Sequence, residues 1–263
     1  MGTKTIWITA LNKERDAERV AAVSDRLKRY GLQTHGHFWI DAPERLAWRA
    51  AFDALNEVRA DLWLVLVNPE DLANPSVRYG LSLLAAALTD VRGAGFPIVL
   101  SWAVEPAEPI APPALFARSS VLDECAPTWP AKIVAKANMV STASAPDYCF
   151  QVIGEERLGQ WFSIGPRQDG WQGIVFGVTG DGAQIDFQAV GAAGALPEKT
   201  VLEYAQEGLT LQVGERVFRA WAVRNQVDPG QAYYARVKGC PQAVLFMPYS
   251  DQAEAEATLL QLV

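Results

Sequence analysis

The strongest constraint on the fold lies in residues 1–140, where short apolar runs alternate with amphipathic stretches of helical length. The apolar runs are rich in β-branched and aromatic residues, a composition typical of β-strands. They predict strands at TIWITA (5–10), THGHFWID (34–41), DLWLVLV (61–67) and FPIVLSWAV (96–104), with SSVLDE (119–124) as a possible fifth. DLWLVLV is almost wholly apolar, which is typical of a strand that is covered on both faces.

Helices are predicted between these strands. Apolar residues recur at helical spacing, and the turn residues Tyr30-Gly31 and Pro43 mark a helix end and a helix start. The predicted helices span 14–29, 43–59, 75–92 and 128–140. Strands that alternate with helices of this length favour right-handed crossovers and a parallel sheet. We therefore expect an α/β domain over 1–140 with a flavodoxin-like layout.

The pattern changes after a small, polar segment, MVSTASAPD (139–147), in which residues 141–146 are a predicted linker. Residues 147–263 then form a second predicted domain, in which GDG (180–182) and DPG (228–230) are typical of hairpin turns. Its strand-like segments are YCFQVIG, GQWFSIG, WQGIVFGVT, AQIDFQAVG, TVLEYA, LTLQVG, FRAWAVRN, AYYARV and AVLFMPY. They predict a β-rich sandwich or partial barrel, closed by one C-terminal helix in DQAEAEATLLQLV. Trp161 and Trp171 lie next to turns, and an exposed aromatic surface there would suit a carbohydrate, a peptide or another subunit.

Charge and cysteine content limit the classes of partner. The formal net charge is -7, and residues 141–263 hold 8 basic and 14 acidic side chains, so a broad basic footprint for nucleic acid is absent. The three cysteines are widely spaced, which favours reduced thiols over a disulfide framework. No signal peptide and no apolar run long enough to span a membrane are recognised. We expect a cytoplasmic protein that binds neither nucleic acid nor membrane.

A ligand site is expected at one edge of the parallel sheet. In open sheets of this kind, ligands bind outside the carboxyl ends of the strands, where helix N-termini also point. The candidate binding residues that follow the strands are Thr9, Asn12, Asp41, Ser76, Arg78 and Tyr79. We assign Thr9 and Asn12 to phosphate or ribose, Asp41 to a ribose hydroxyl, and Ser76 with its helix N-terminus to phosphate. Arg78 would neutralise that phosphate and Tyr79 would stack on a base, so the predicted ligand is a nucleotide.

The first 140 residues also resemble a known family. The order of elements, with an acidic loop at Asp41 and the helix opening Asn74-Pro75-Ser76-Val77, is similar to a TIR or TIR-like domain over about residues 4–136. The resemblance implies a helix glutamate that cleaves the nicotinamide–ribose bond of NAD. The matching position here is Gly80 or Tyr79, and the weak candidates for a substitute acid are Glu70 and Asp71. The resemblance therefore implies binding of NAD or an ADP-ribose-like nucleotide, or protein assembly, with degenerate chemistry.

Several other chemistries find little support. His35 and His37, the two histidines, would share one face of a strand, but no third metal ligand is identified, so no metal site is predicted. Neither GxxxxGK[ST] nor GxSxG occurs, and no GxGxxG follows the first strand, which disfavours a P-loop NTPase, an α/β-hydrolase and a dinucleotide dehydrogenase.

Three functions stay open, so whether the protein is an enzyme is undecided. The first is a nucleotide-recognition or signalling module joined to a β-rich domain that binds a partner. The second is an NAD glycohydrolase or nucleoside-transferase-like enzyme that uses Glu70, Asp71 or Asp41 as a non-standard acid. The third is a pure interaction scaffold that self-associates or binds another protein.

Overall fold

A computed structural model describes residues 2–103, 111–139, 145–155, 157–250 and 256–263. The chain divides into two compact units. The first, here the α/β unit, comprises residues 1–42 and 47–144, and the second, here the β unit, comprises residues 145–263 with 43–46.

The α/β unit consists of strands that alternate with helices. Its elements in chain order are β1 (Thr5–Ala10), α1 (Lys13–Arg29), β2 (Gln33–Phe38), α2 (Trp48–Glu57), β3 (Leu62–Val67), α3 (Pro69–Ala73), α4 (Pro75–Arg92), β4 (Ile98–Trp102), β5 (Ser120–Asp123) and α5 (Trp129–Ala137). The possible fifth strand in SSVLDE is therefore present as β5.

The five strands form one parallel sheet in the order β2-β1-β3-β4-β5. This is the flavodoxin-like order, as predicted. All six residues of β1 and all six of β3 are buried, because these central strands are covered by helices on both faces. The strand order reverses between β1 and β3, which makes their carboxyl ends the topological switch point of the sheet.

Helices cover both faces of this sheet. On one face, α1 and α5 contribute Val23, Leu27 and Ile133 to a core that also contains alternate residues of β1 and β3. On the other face, α4 is buried on nearly every side from Val77 to Leu88, as expected for a helix that is apolar all round. No helix among the described residues has the length and apolarity needed to cross a membrane.

Local chemistry sets where the helices begin. Asn12 caps α1 by accepting a hydrogen bond from the Arg15 N–H, and Asn74 caps α4 by accepting one from the Ser76 N–H at 3.0 Å. The single helix predicted over 43–59 is wrong at its start. Residues 43–45 form a short 3-10 turn, and Leu46 has a φ of 52°, so α2 begins only at Trp48.

The described residues of the β unit form nine strands. They are β6 (Tyr148–Glu155), β7 (Gly159–Pro166), β8 (Ile174–Thr179), β9 (Gln184–Ala192), β10 (Gln206–Val213), β11 (Arg216–Val223), β12 (Gln231–Lys238), β13 (Ala243–Pro248) and β14 (Thr258–Gln261).

These strands form two antiparallel sheets, in the orders β10-β11-β8-β13-β14 and β6-β7-β12-β9. Aromatic rings pack between them: Phe176 of the first sheet lies 5.9 Å from Phe162 and 6.2 Å from Tyr233 of the second, between ring centroids. Phe246 likewise stacks on Phe150 at 6.2 Å. The predicted β sandwich is thus present, with aromatic residues of β6, β7, β8, β12 and β13 packed between its two sheets.

Three expectations for the β unit are wrong. The C-terminal segment is a strand, not a helix: β14 pairs antiparallel with β13, while residues 251–255 of the predicted helix lie outside the described residues. TVLEYA (200–205) forms no strand. GDG and DPG are not hairpin turns, because the strands on either side of each belong to different sheets. Residues 141–144 of the predicted linker (141–146) also lie outside the described residues.

Candidate functional site at the carboxyl edge of the parallel sheet

Polar side chains from two loops meet at the switch point. Asp16, in the first turn of α1, is only 2% exposed and accepts hydrogen bonds from the Asn12 N–H at 3.2 Å and from Asn68 Nδ2 at 3.4 Å. Asn68 Nδ2 also donates to Asp71 Oδ2 at 3.3 Å. The loops after β1 and β3 are therefore joined through two carboxylates.

Arg15 is the cation of this cluster. Its guanidinium donates to Asp16 Oδ1 at 3.2 Å and forms a further, shorter ion pair with Asp71. The hydrogen bond to Asp16 raises the pKa of Arg15, and the contact with Asp71 raises it further, so the side chain stays charged at any ordinary pH. With 37% of its side chain exposed, Arg15 presents a fixed positive charge to solvent at the switch point.

A second ion pair lies behind this cluster. Arg19 donates to Glu124 Oε2 at 2.8 Å, and both side chains are nearly buried. The same guanidinium donates to the carbonyl oxygens of Ser101 at 3.0 Å and Val67 at 3.4 Å, at the ends of β4 and β3. Arg19 therefore satisfies carbonyl groups that the ends of the strands leave free.

Three of the polar residues singled out in the sequence form their own hydrogen-bonded group. Ser76 Oγ donates to Asp41 Oδ1 at 2.6 Å, and Asn74 Nδ2 donates to Asp41 Oδ2 at 3.3 Å. The group holds the exposed Asp41 carboxylate against the N-terminus of α4, where the helix dipole stabilises a negative charge.

Thr9, Arg78 and Tyr79 are engaged elsewhere. Thr9 is fully buried, and its hydroxyl accepts a hydrogen bond from Trp63 Nε1 at 2.8 Å. Tyr79 is also fully buried. Arg78 Nη1 donates to the carbonyl oxygens of Ala111 at 2.9 Å and Leu72 at 3.3 Å, and its burial lowers its pKa. Of the six predicted binding residues, Asn12 and Asp41 are exposed, Ser76 and Arg78 are half-buried, and Thr9 and Tyr79 are buried.

The helix position that a TIR-like glutamate would occupy is closed. A Cβ atom on Gly80 would lie 2.6 Å from Cζ2 of the Trp39 indole, nearer than real contacts allow. The candidate acids one loop earlier differ from each other: the Glu70 side chain is 90% exposed and 3.8 Å from Arg15, whereas Asp71 is paired with Arg15. Glu70 therefore faces solvent, and Asp71 is held in an ion pair, so neither is positioned as a free general acid.

The two histidines lie on β2 as predicted, but in different surroundings. His35 is exposed, whereas His37 is half-buried and its Nδ1 accepts a hydrogen bond from Trp7 Nε1 at 3.1 Å. Burial lowers the pKa of His37 to about 4, so the imidazole is neutral near pH 7. Among the described residues no group of three or more His, Cys, Asp or Glu side chains is arranged to hold a metal ion.

Sequence reasoning missed Arg15, Asp16, Arg19 and Glu124. The helical pattern over 14–29 predicts that α1 carries charged residues but not which of them contact a neighbouring loop. One signal was present: an acid four residues after a capping asparagine lies one turn along the helix, back over its N-terminus and the neighbouring loop.

The fold defines the class of protein: a parallel α/β unit with flavodoxin-like strand order, followed by an antiparallel β sandwich. The chain matches no protein-family model, and a search of curated proteins gave no match. The strand order and the flanking helices support a flavodoxin-like topology, and the resemblance to a TIR domain stays a prediction.

Proposed function

We propose that the α/β unit is a nucleotide-recognition module that binds NAD or an ADP-ribose-like ligand at the switch point without cleaving it. The observation that carries the proposal is the convergence of Arg15, Asn12 and Asn68 outside the carboxyl ends of β1 and β3. In sheets with this strand order, that crevice is where nucleotides bind.

The chemistry of the rim suits a nucleotide in two parts. Arg15, which already pairs with Asp16 and Asp71, keeps part of its guanidinium exposed for a phosphate, and the side-chain amide nitrogen of Asn12 supplies a donor beside it. Asp41 and Ser76, already hydrogen-bonded to each other, offer acceptor oxygens to ribose hydroxyls. The proposal leaves Thr9 and Tyr79 to packing, since both are buried.

Recognition without cleavage is supported by the state of the carboxylates. Trp39 excludes a side chain at Gly80, and Arg15 neutralises Asp71. The alternative, an NAD glycohydrolase that uses Glu70, Asp71 or Asp41, requires one of these acids to act without a shielded site. In this account the β unit contributes recognition of a partner, so the whole chain would be a signalling or assembly module.

Isothermal titration calorimetry with NAD and with ADP-ribose tests the proposal. Wild type and two variants, Arg15→Gln and the isosteric Asp41→Asn, are compared with Arg29→Gln, an exposed arginine at the far end of α1, as the matched control. We expect saturable binding by wild type and the control, and an affinity at least about tenfold lower in Arg15→Gln, equivalent to about 1.4 kcal/mol.

Each result separates the open functions. Binding without nicotinamide release supports recognition, whereas release that disappears in Glu70→Gln or Asp71→Asn would identify a glycohydrolase. No binding of either ligand at millimolar concentration, together with concentration-dependent self-association, would identify an interaction scaffold and contradict the proposal.

A further inference from the structure

The β unit has an open cleft at one side of the sandwich, between the edge strand β9 of one sheet and the edge strand β10 of the other. Its volume is about 550 Å³, within the range of about 300–1,000 Å³ that small-molecule sites occupy. This cleft lies wholly within the β unit and is independent of the proposed nucleotide site.

The strand pattern places both an aromatic ring and charged groups in the cleft. Trp221 pairs with Phe176 across β11 and β8, so it points to the inner side of its sheet, as does Arg219 two residues earlier. Thr210 of β10 stands opposite Arg219, and Gln184 enters from β9. The half-buried indole of Trp221 is therefore surrounded by planar and hydroxyl-bearing polar side chains.

Glu207 enters the cleft through an irregularity of β10. The pairing of β10 with β11 shifts between Gln206 and Leu209, and Gly208 has a φ of 68°, a conformation that glycine adopts freely. Such a bulge turns a side chain away from the regular alternation and is common beside binding sites. Glu207 and Arg219 together give the cleft one negative and one positive charge.

A buried pair of polar side chains joins β12 to β9 in the core of the sandwich. The Tyr233 hydroxyl donates to Gln188 Oε1 at 3.0 Å, and both residues are buried in the sandwich core. Burial raises the pKa of Tyr233, and the negative charge of Glu207 raises it further. Gln188 is only 4% exposed, yet its Nε2 atom has no hydrogen-bond partner among the described residues. Gln188 lies on β9, the strand that also contributes Gln184 to the cleft.

We propose that this cleft binds a short, uncharged saccharide, with Trp221 as the stacking platform and Glu207, Arg219 and Gln184 as hydrogen-bond partners. A sugar ring has an apolar face that packs on an indole and hydroxyl groups that need both donors and acceptors at its rim. The opposite charges of Glu207 and Arg219 cancel, which favours a neutral ligand over a phosphate or a carboxylate.

The same strands disfavour an extended peptide as the occupant. A peptide that adds a strand to a sheet requires a regular edge with alternating side-chain pockets. The bulge at 206–209 interrupts that alternation in β10 at the cleft, and bulges are one of the devices that protect sheet edges from pairing.

Saccharide binding is measured with the full chain by saturation-transfer NMR and calorimetry, with maltose, cellobiose and N,N′-diacetylchitobiose as probes. The variants are Trp221→Ala, the more conservative Trp221→Phe, and Glu207→Gln, with Glu215→Gln in the exposed β10–β11 turn as the matched control. We expect at least one disaccharide to bind, with an affinity at least tenfold lower in Trp221→Ala and Glu207→Gln, smaller losses in Trp221→Phe, and no change in the control.

Absence of a signal from all three disaccharides at about 20 mM would overturn the proposal. Binding that survives both Trp221→Ala and Glu207→Gln would also overturn it, because the sugar would then lie elsewhere. A peptide that binds and shifts the amide resonances of β10, with no response to sugars, would replace the saccharide by a peptide. None of these results alters the test of nucleotide binding, since the residues do not overlap.

Discussion

Replacement of Gly80 by alanine should destabilise the protein, although the same change usually stabilises a helix. Gly80 lies inside α4, where alanine is favoured over glycine by about 1 kcal/mol. The added methyl group would, however, lie 2.6 Å from Cζ2 and 3.3 Å from Cη2 of Trp39. The indole is rigid and half-buried, with its Nε1 atom buried, so it has to move as a whole.

The two effects have opposite signs. Overpacking of this kind costs about 1–3 kcal/mol. Subtraction of the helix-propensity gain of about 1 kcal/mol leaves a net loss of about 0–2 kcal/mol in the free energy of unfolding. In a Trp39→Leu background the obstruction is removed, and Gly80→Ala should then stabilise by up to about 1 kcal/mol. The coupling between the two positions is therefore about 1–3 kcal/mol.

Urea unfolding of the four proteins of this double-mutant cycle measures the coupling. Six of the nine tryptophans lie within residues 1–140, so indole fluorescence follows the α/β unit. Stabilisation by Gly80→Ala in the wild-type background, or equal effects in both backgrounds, would refute the steric argument. Gly80→Glu should be more destabilising still and should release no nicotinamide from NAD.

Three further predictions concern the same unit. Burial lowers the pKa of His37 to about 4, so between about pH 4 and pH 6.5 the unfolded chain binds more protons than the folded chain. The free energy of unfolding should therefore decrease as the pH falls through that window, by up to about 1.4 kcal/mol per pH unit. The midpoints of urea unfolding should lose this pH dependence in His37→Gln and keep it in His35→Gln. Trp63→Phe and Thr9→Val should each cost about 1–3 kcal/mol and the double variant less than their sum, measured by urea unfolding, since each single change leaves a buried group without its partner. Arg78→Met should lower the melting temperature by a few degrees, as two backbone carbonyls lose a charged donor, and an unchanged melting temperature would contradict that role.

The architecture of the α/β unit could be predicted from its sequence, because its signals are local. Strands β1, β3 and β4 are runs of mostly apolar residues, and α4 begins at Pro75 after a capping asparagine, as the pattern 75–92 predicted. The error at 43–59 came from Leu46, whose positive φ has no sequence signal in a residue other than glycine or asparagine.

The β unit was harder, because the pairing of antiparallel strands depends on distant residues. GDG and DPG have hairpin composition, yet they connect strands of opposite sheets, and glycine serves both kinds of turn equally well. The C-terminal segment alternates poorly, and its strand β14 forms because the edge of β13 is available for pairing. Trp161, predicted to be exposed beside a turn, is buried at 9% exposure, while Trp221 lies in the cleft.

The sequence indicated residues at the edge of the sheet as a candidate site, but it did not predict the contacts that these residues make. The rule that ligands bind at strand ends selected Asp41 and Ser76 separately, and the structure shows that the two side chains form a hydrogen bond. The rule could not identify Thr9 as buried, since that depends on Trp63 reaching across from β3. The role of Arg15 depends on a carboxylate 56 residues away, and no local pattern contains that contact.

The most direct test of the central claim is an amide NMR titration of the full chain with ADP-ribose. Nucleotide binding at the switch point predicts saturable shifts that cluster in residues 11–16, 41 and 68–76. It predicts no shifts in residues 145–263. Absence of shifts at millimolar ligand, or shifts confined to residues 145–263, would contradict nucleotide binding at the switch point.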